Sequence, residues 1–159
     1  MGIKFLKIYF FKKREKVVKI SIGADHRGFE CKKLIVSNMA AINWLDVGCF
    51  SSERCDYPGF AKLVVRNILD GHASRGILLC ASGIGMSIAA NRFKKIHAGL
   101  CWSPEVAKMA VQDDNINILV IPTDFVTPEQ CLIIINSWLK AEFKDAHYQE
   151  RLDQIDRLL

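Results

Sequence analysis

Residues 76–93 read GILLCASGIGMSIAANRF. Gly76–Cys80 is a short apolar run with the length of a strand buried on both faces. A loop with Ser82, Gly83 and Gly85 follows, and a helix begins near Met86. Strand, glycine-bearing turn and helix together make half of a βαβ unit, and the same alternation recurs in both directions from it. Val17–Ile22, Ile42–Val47, Ala98–Trp102 and Ile116–Ile121 are strand-like, while Phe29–Met39, Pro58–Leu69 and Pro104–Gln112 are helical. Pro104 and Pro128 stand where a first helical turn tolerates proline. Pro128–Ala141 and Ala146–Leu159 close the chain as two helices. The pattern predicts a doubly wound, Rossmann-like, five-stranded parallel sheet with helices on both faces and right-handed crossovers. Such sheets bind ligands outside the carboxyl ends of their strands, so chemistry is sought there.

The 159 residues suffice for one domain with its own core, and the composition of 50% hydrophobic and 25% charged residues is that of a globular chain. No stretch has the run of about 18 apolar residues that a membrane helix needs. The net charge of +5 is local: Lys4, Lys7, Lys12, Lys13, Arg14 and Lys16 against Glu15 account for all of it. The remainder is neutral, which argues against a nucleic-acid footprint on the domain. Residues 1–16 are read as a basic extension and 17–159 as a single domain. Lys7 breaks the extension's apolar run and KKREK stands where a signal peptide would have small residues, so no export signal is expected. Six scattered cysteines, with neither a C-x-x-C pair nor zinc-ligand spacing, fit reduced thiols in cytoplasm and no metal site.

Three polar loops fall at strand ends. In residues 80–86, Gly83 and Gly85 let the backbone approach a ligand, and the free N–H groups of the helix start favour an anion. That field would stabilise a thiolate, making Cys80 a candidate base or nucleophile with a lowered pKa. The same residues equally suit a core cysteine beside an ordinary turn. A dinucleotide fingerprint is a poor match, because Ile88 stands at the third glycine and no Walker lysine follows. The first strand ends in GADHRG (23–28), placing Asp25 and His26 at the expected switch point. An Asp-His pair in a loop is also compatible with an Asx turn beside a solvated imidazole. The second strand is followed by GCFSSERCDYP (48–58), which can lay Tyr57 over the same crevice.

Taken together, GADHRGF, SSERCDYP and GILLCASGIGMSIAANRF, in this order and spacing, resemble the type B ribose-5-phosphate isomerases, a family that includes galactose- and allose-6-phosphate isomerases. The resemblance runs from about Val17 to Arg151. It implies an aldose–ketose isomerase without metal or nucleotide cofactor, acting on a phosphorylated sugar as a homodimer or dimer of dimers with shared sites. It implies Cys80 as the base that moves the C2 proton, Ser82 as its helper at the sugar oxygens, and the backbone of Ala81, Gly83, Ile84 and Gly85 as the cradle for the enediolate. Asp25, His26 and Tyr57 would contact the sugar. Tyr148, Leu152, Ile155 and Leu159 form an apolar stripe on the last helix. By itself the stripe suits packing on its own domain as well as docking on a second subunit; the resemblance favours the second.

The second half departs from the family pattern. Asp113 and Asp114 stand where a histidine and an asparagine are usual, Asp124 replaces an arginine, and His147 replaces another, while Arg151 is retained. Asp113 is thus the candidate ring opener by position, with Asp25 or His26 as the alternative, and Asp114, His147 and Arg151 are candidate substrate contacts. The expected activity is interconversion of ribose 5-phosphate and ribulose 5-phosphate in the pentose phosphate route. The alternatives are a six-carbon sugar-phosphate isomerase and a sugar-phosphate-binding homologue weakened in catalysis.

Overall fold

In the computed structural model, which describes residues 18–145 and 147–158, strands and helices alternate: β1 Lys19–Ala24, α1 Phe29–Asn38, β2 Asn43–Asp46, α2 Tyr57–Leu69, β3 Arg75–Cys80, α3 Ile84–Ala90, β4 Ala98–Leu100, α4 Pro104–Asp114, β5 Ile118–Pro122, α5 Pro128–Lys140 and α6 His147–Asp156. The basic extension lies outside the described residues. All strand pairings are parallel, and the order across the sheet is β2-β1-β3-β5-β4. This is the doubly wound α/β architecture expected.

Alternation along the strands divides the core in two. Ile20, Ile22, Ile77, Leu79, Leu119 and Ile121 pack against α1, α4 and α5, with Trp138 fully buried among them. Leu78, Cys80, Ile118 and Val120 point to the other face, against Val64 and Val65 of α2 and Met86 and Ala90 of α3. Each fully buried Leu or Ile contributes about 1.5–3 kcal/mol by leaving water. The same period decides where Cys80 goes: it is the last residue of β3 and points to the α2/α3 face.

Two element boundaries differ informatively from the expected ones. β1 runs on through Gly23 and Ala24, because Gly23 packs where a Cβ would stand 3.1 Å from Val64 and 3.3 Å from Val47. Helix α3 begins two residues early, at Ile84, because Gly83 adopts the left-handed conformation at its N-cap (φ +72°). On the last helix, Leu152 is buried and α6 packs against α4, so part of the apolar stripe is used within the chain. Ile155 stays exposed, and Leu159 lies outside the described residues.

Candidate active site

Chain reversal places the first two candidates side by side. From β1 the chain winds outward to β2, then returns past β1 to β3, so β1 and β3 are neighbours, with Ala24 opposite Leu79. Asp25 and Cys80 follow these paired residues directly, at the switch point of the sheet. The Asp25 backbone N–H donates to the Leu79 carbonyl at 3.2 Å. Its Oδ1 accepts from the N–H groups of Arg27 and Gly28, both at 3.0 Å, an Asx turn that fixes the carboxylate. That leaves Oδ2 free to accept from Cys80 Sγ at 3.0 Å. Both residues are nearly shut off from solvent, at 5% and 7% exposure.

This environment corrects the expectation of an activated thiolate. Burial, and then the carboxylate of Asp25, push the Cys80 thiol up to about 11. The N–H groups of Gly83 and Ala81 pull the other way and do not prevail. At neutral pH Cys80 is a thiol that donates its proton to Asp25.

The loop after Cys80 forms the cradle. Gly83 needs its positive φ, and a Cβ there would stand 2.5 Å from Leu100 Cδ1. Ser82 Oγ lies 3.4 Å from the Ile84 N–H. Gly85 is glycine for a different reason: Tyr57, at the start of α2, lays its ring so close that an added Cβ would come within 2.5 Å of Cζ. Tyr57 therefore roofs the cradle, as its position in the sequence implied. His26 is half-buried beside this group, and its Nδ1 accepts from the Cys55 N–H at 3.4 Å. On the far side, Thr123 donates from both its N–H (2.9 Å) and its Oγ1 (3.1 Å) to the Cys80 carbonyl, and the Asp124 N–H donates to the Ala81 carbonyl at 3.0 Å.

The remaining candidates lie elsewhere in the chain. Helix α4 starts beyond the carboxyl end of β4 and returns to the amino end of β5, so Asp113 and Asp114 sit at the opposite end of the sheet from Cys80. Asp113 Oδ1 accepts from Lys144 Nζ at 2.6 Å. Asp114 borders a cavity of about 450 Å³ that runs along edge strand β4 beneath α6, with Leu100, Val106, Leu152 and Asp156 in its wall. Exposed His147 and Arg151 flank Tyr148, with ring centroids 4.1 Å apart for the histidine and the guanidinium 5.6 Å from the tyrosine ring.

Sequence reasoning missed three features. Thr123 holds the strand end of Cys80, Arg27 forms an ion pair with Asp124 across the crevice rim, and Lys32 is buried in α1. Lys32 Nζ reaches Asp46 Oδ2 at 2.7 Å, and Asp46 Oδ1 in turn accepts from the Gly48 N–H at 3.0 Å. That chain of contacts fixes the start of the loop leading to Tyr57. Each partner is supplied by tertiary structure, so no short spacing betrays it. Among the described residues no group of three or more His, Cys, Asp or Glu could hold a metal ion, and no helix is long and apolar enough to cross a membrane.

A thiol hydrogen-bonded to a carboxylate, set beside backbone donors at the switch point of a doubly wound sheet, has the chemistry needed to move a proton. A sequence profile of the ribose/galactose isomerase family matches residues 20–155, and the chain belongs to that family. It is 37% identical over 139 residues to ribose-5-phosphate isomerase B of Escherichia coli, spanning 86% of this chain and 93% of that protein. The fold superposes on the ribose 5-phosphate isomerase of Thermotoga maritima with a TM-score of 0.86 at 41% identity, covering 88% and 98% of the two chains. It matches ribose-5-phosphate isomerase B of Mycoplasma genitalium, solved with bound ribulose-5-phosphate, with a TM-score of 0.84 at 34% identity, over 91% and 97%.

Proposed function

We propose that this chain interconverts ribose 5-phosphate and ribulose 5-phosphate through a cis-enediolate. The observation that carries this reading is the Cys80–Asp25 hydrogen bond at the edge of the 81–85 cradle. Names and bound ligand of the relatives support the substrate.

With the open-chain aldose in place, the Cys80 proton passes to Asp25 and the thiolate takes the C2 proton. The C2–H electrons form the C1–C2 double bond, and negative charge grows on O1. Backbone N–H groups of residues 81–85 receive it, in a pocket kept from water by Tyr57. Ser82 passes a proton from O2 to O1, Cys80 returns the abstracted proton to C1 to give the ketose, and Asp25 hands the first proton back to the thiolate. Only protons move within one molecule, so the step calls for no redox cofactor.

Ring opening falls to His26. Its Nδ1 accepts from Cys55, which leaves Nε2 as the N–H that can donate to the furanose oxygen. Asp113, expected by position to fill that role, is ion-paired with Lys144. A second subunit brings Asp113, Asp114, His147 and Arg151 to the crevice of its partner in a homodimer or dimer of dimers; the placement of Asp113 and Asp114 at the opposite end of the sheet from Cys80 supports shared sites. The domain starts at about residue 17, and the enzyme works in cytoplasm, where its six free cysteines stay reduced.

An isomerisation assay comparing ribose 5-phosphate, allose 6-phosphate and galactose 6-phosphate tests the reading. The highest kcat/KM is expected for ribose 5-phosphate. Preference for either hexose phosphate would reassign the substrate, and no turnover of any would leave a sugar-phosphate-binding protein.

A further inference from the structure

Arg27 and Asp124 come from loops at opposite sides of the crevice, 97 residues apart, and meet as an ion pair over its rim. Neither position is free to drift. The Arg27 N–H is bound by Asp25 Oδ1, the same carboxylate that receives the Cys80 thiol, and the Asp124 N–H is bound to the Ala81 carbonyl at the first residue of the cradle. The pair is therefore tied at both ends to the catalytic floor. The two side chains are 55% and 37% exposed, so they stand at the mouth and in reach of an incoming ligand.

An arginine fork matches a phosphate dianion better than a single carboxylate, because it can donate two parallel hydrogen bonds to a doubly charged group. Asp124 takes one arm of the fork, through Nη2, and sets a negative charge where that dianion must arrive. We infer that Arg27 is a phosphate-recognising, specificity-determining residue of this site, and that Asp124 is a built-in competitor that the substrate's phosphate must displace. The inference rests on the isomerase reading for its substrate and concerns only how the dianion is held. In this arrangement Asp124 weakens phosphate binding without touching the carbon chemistry, and an uncharged sugar gains nothing from Arg27.

The test measures competitive inhibition by inorganic phosphate, together with KM and kcat for ribose 5-phosphate, in Asp124→Asn, Arg27→Gln and the double variant. Asp124→Asn should tighten inorganic phosphate by about threefold to fivefold, the scale of an exposed charge pair. Arg27→Gln should weaken it by about tenfold, and both effects should fall on KM rather than kcat. In the Arg27→Gln background, Asp124→Asn should bring less than half its original gain. An Asp124→Asn enzyme that binds phosphate no better than wild type, or an undiminished gain in the double variant, would overturn the proposal and leave the pair as a structural latch. Phosphorus NMR titration of inorganic phosphate repeats the comparison without turnover. Failure of the wild-type chain to isomerise any sugar phosphate would thus count against the isomerase reading, and equal phosphate affinities across the variants against this one.

Discussion

Cys80 Sγ donates to Asp25 Oδ2 at 3.0 Å, across 55 residues of sequence, with both side chains buried. Burial and the Asp25 carboxylate together keep the thiol protonated at neutral pH, and in the proposed mechanism the same carboxylate is the acceptor that lets the thiol become a base.

Replacing Asp25 by Asn should separate reactivity from catalysis. The carboxylate helps hold the Cys80 thiol up at about 11, so its loss lowers the pH at which the thiolate forms. Alkylation of Cys80 by iodoacetamide at pH 8 should become faster in Asp25→Asn, while isomerisation falls by about 10²-fold or more because the proton acceptor is gone. Alkylation unchanged or slower would show that Asp25 does not control the thiol.

Gly85→Ala should disturb the roof of the cradle rather than the fold. The new methyl would stand 2.5 Å from Tyr57 Cζ, so the ring must swing away. Because Tyr57 is partly exposed, the stability cost should be no more than about 1 kcal/mol. KM for ribose 5-phosphate should rise by about fivefold or more. A full-activity variant would mean that Tyr57 does not cover the bound sugar. Thermal unfolding measured beside the kinetics keeps the two effects apart.

Deleting residues 1–16 should leave turnover and thermal stability nearly unchanged, since the family profile begins at residue 20 and the core is built from Ile20 onward. A large loss of activity in the shortened chain would place the extension within the working enzyme.

How much of this was legible in the sequence follows from the range of the interactions involved. The parallel sheet was readable because strands buried on both faces leave uninterrupted apolar runs such as Gly76–Cys80 and Ile118–Ile121. Cys80, Ser82, Gly83, Gly85 and Tyr57 were legible as neighbours because loops at the carboxyl ends of β2 and β3, on either side of β1, converge on one crevice. The protonation state of Cys80 was not. A loop with free N–H groups argues for a thiolate, and burial at the strand end, with the Asp25 carboxylate beside it, reverses the sign. Lys32 with Asp46, and Arg27 with Asp124, escaped for the same reason: a charge's partner across the fold leaves no periodic mark. Asp113 was readable as a departure from the family pattern, but its partner Lys144, 31 residues on, was not.

The most direct test of the account is Cys80→Ala in deuterated water, followed by proton NMR of the sugar phosphate. The wild-type enzyme should interconvert ribose 5-phosphate and ribulose 5-phosphate and place solvent deuterium on C1 in those turnovers in which the Cys80 thiol exchanges with solvent before returning its proton. The variant should keep its fold and lose both isomerisation and deuterium incorporation by roughly 10²–10⁴-fold, the scale for a positioned general base. Exchange and turnover within a few-fold of wild type in Cys80→Ala would contradict the assignment of Cys80 as the base.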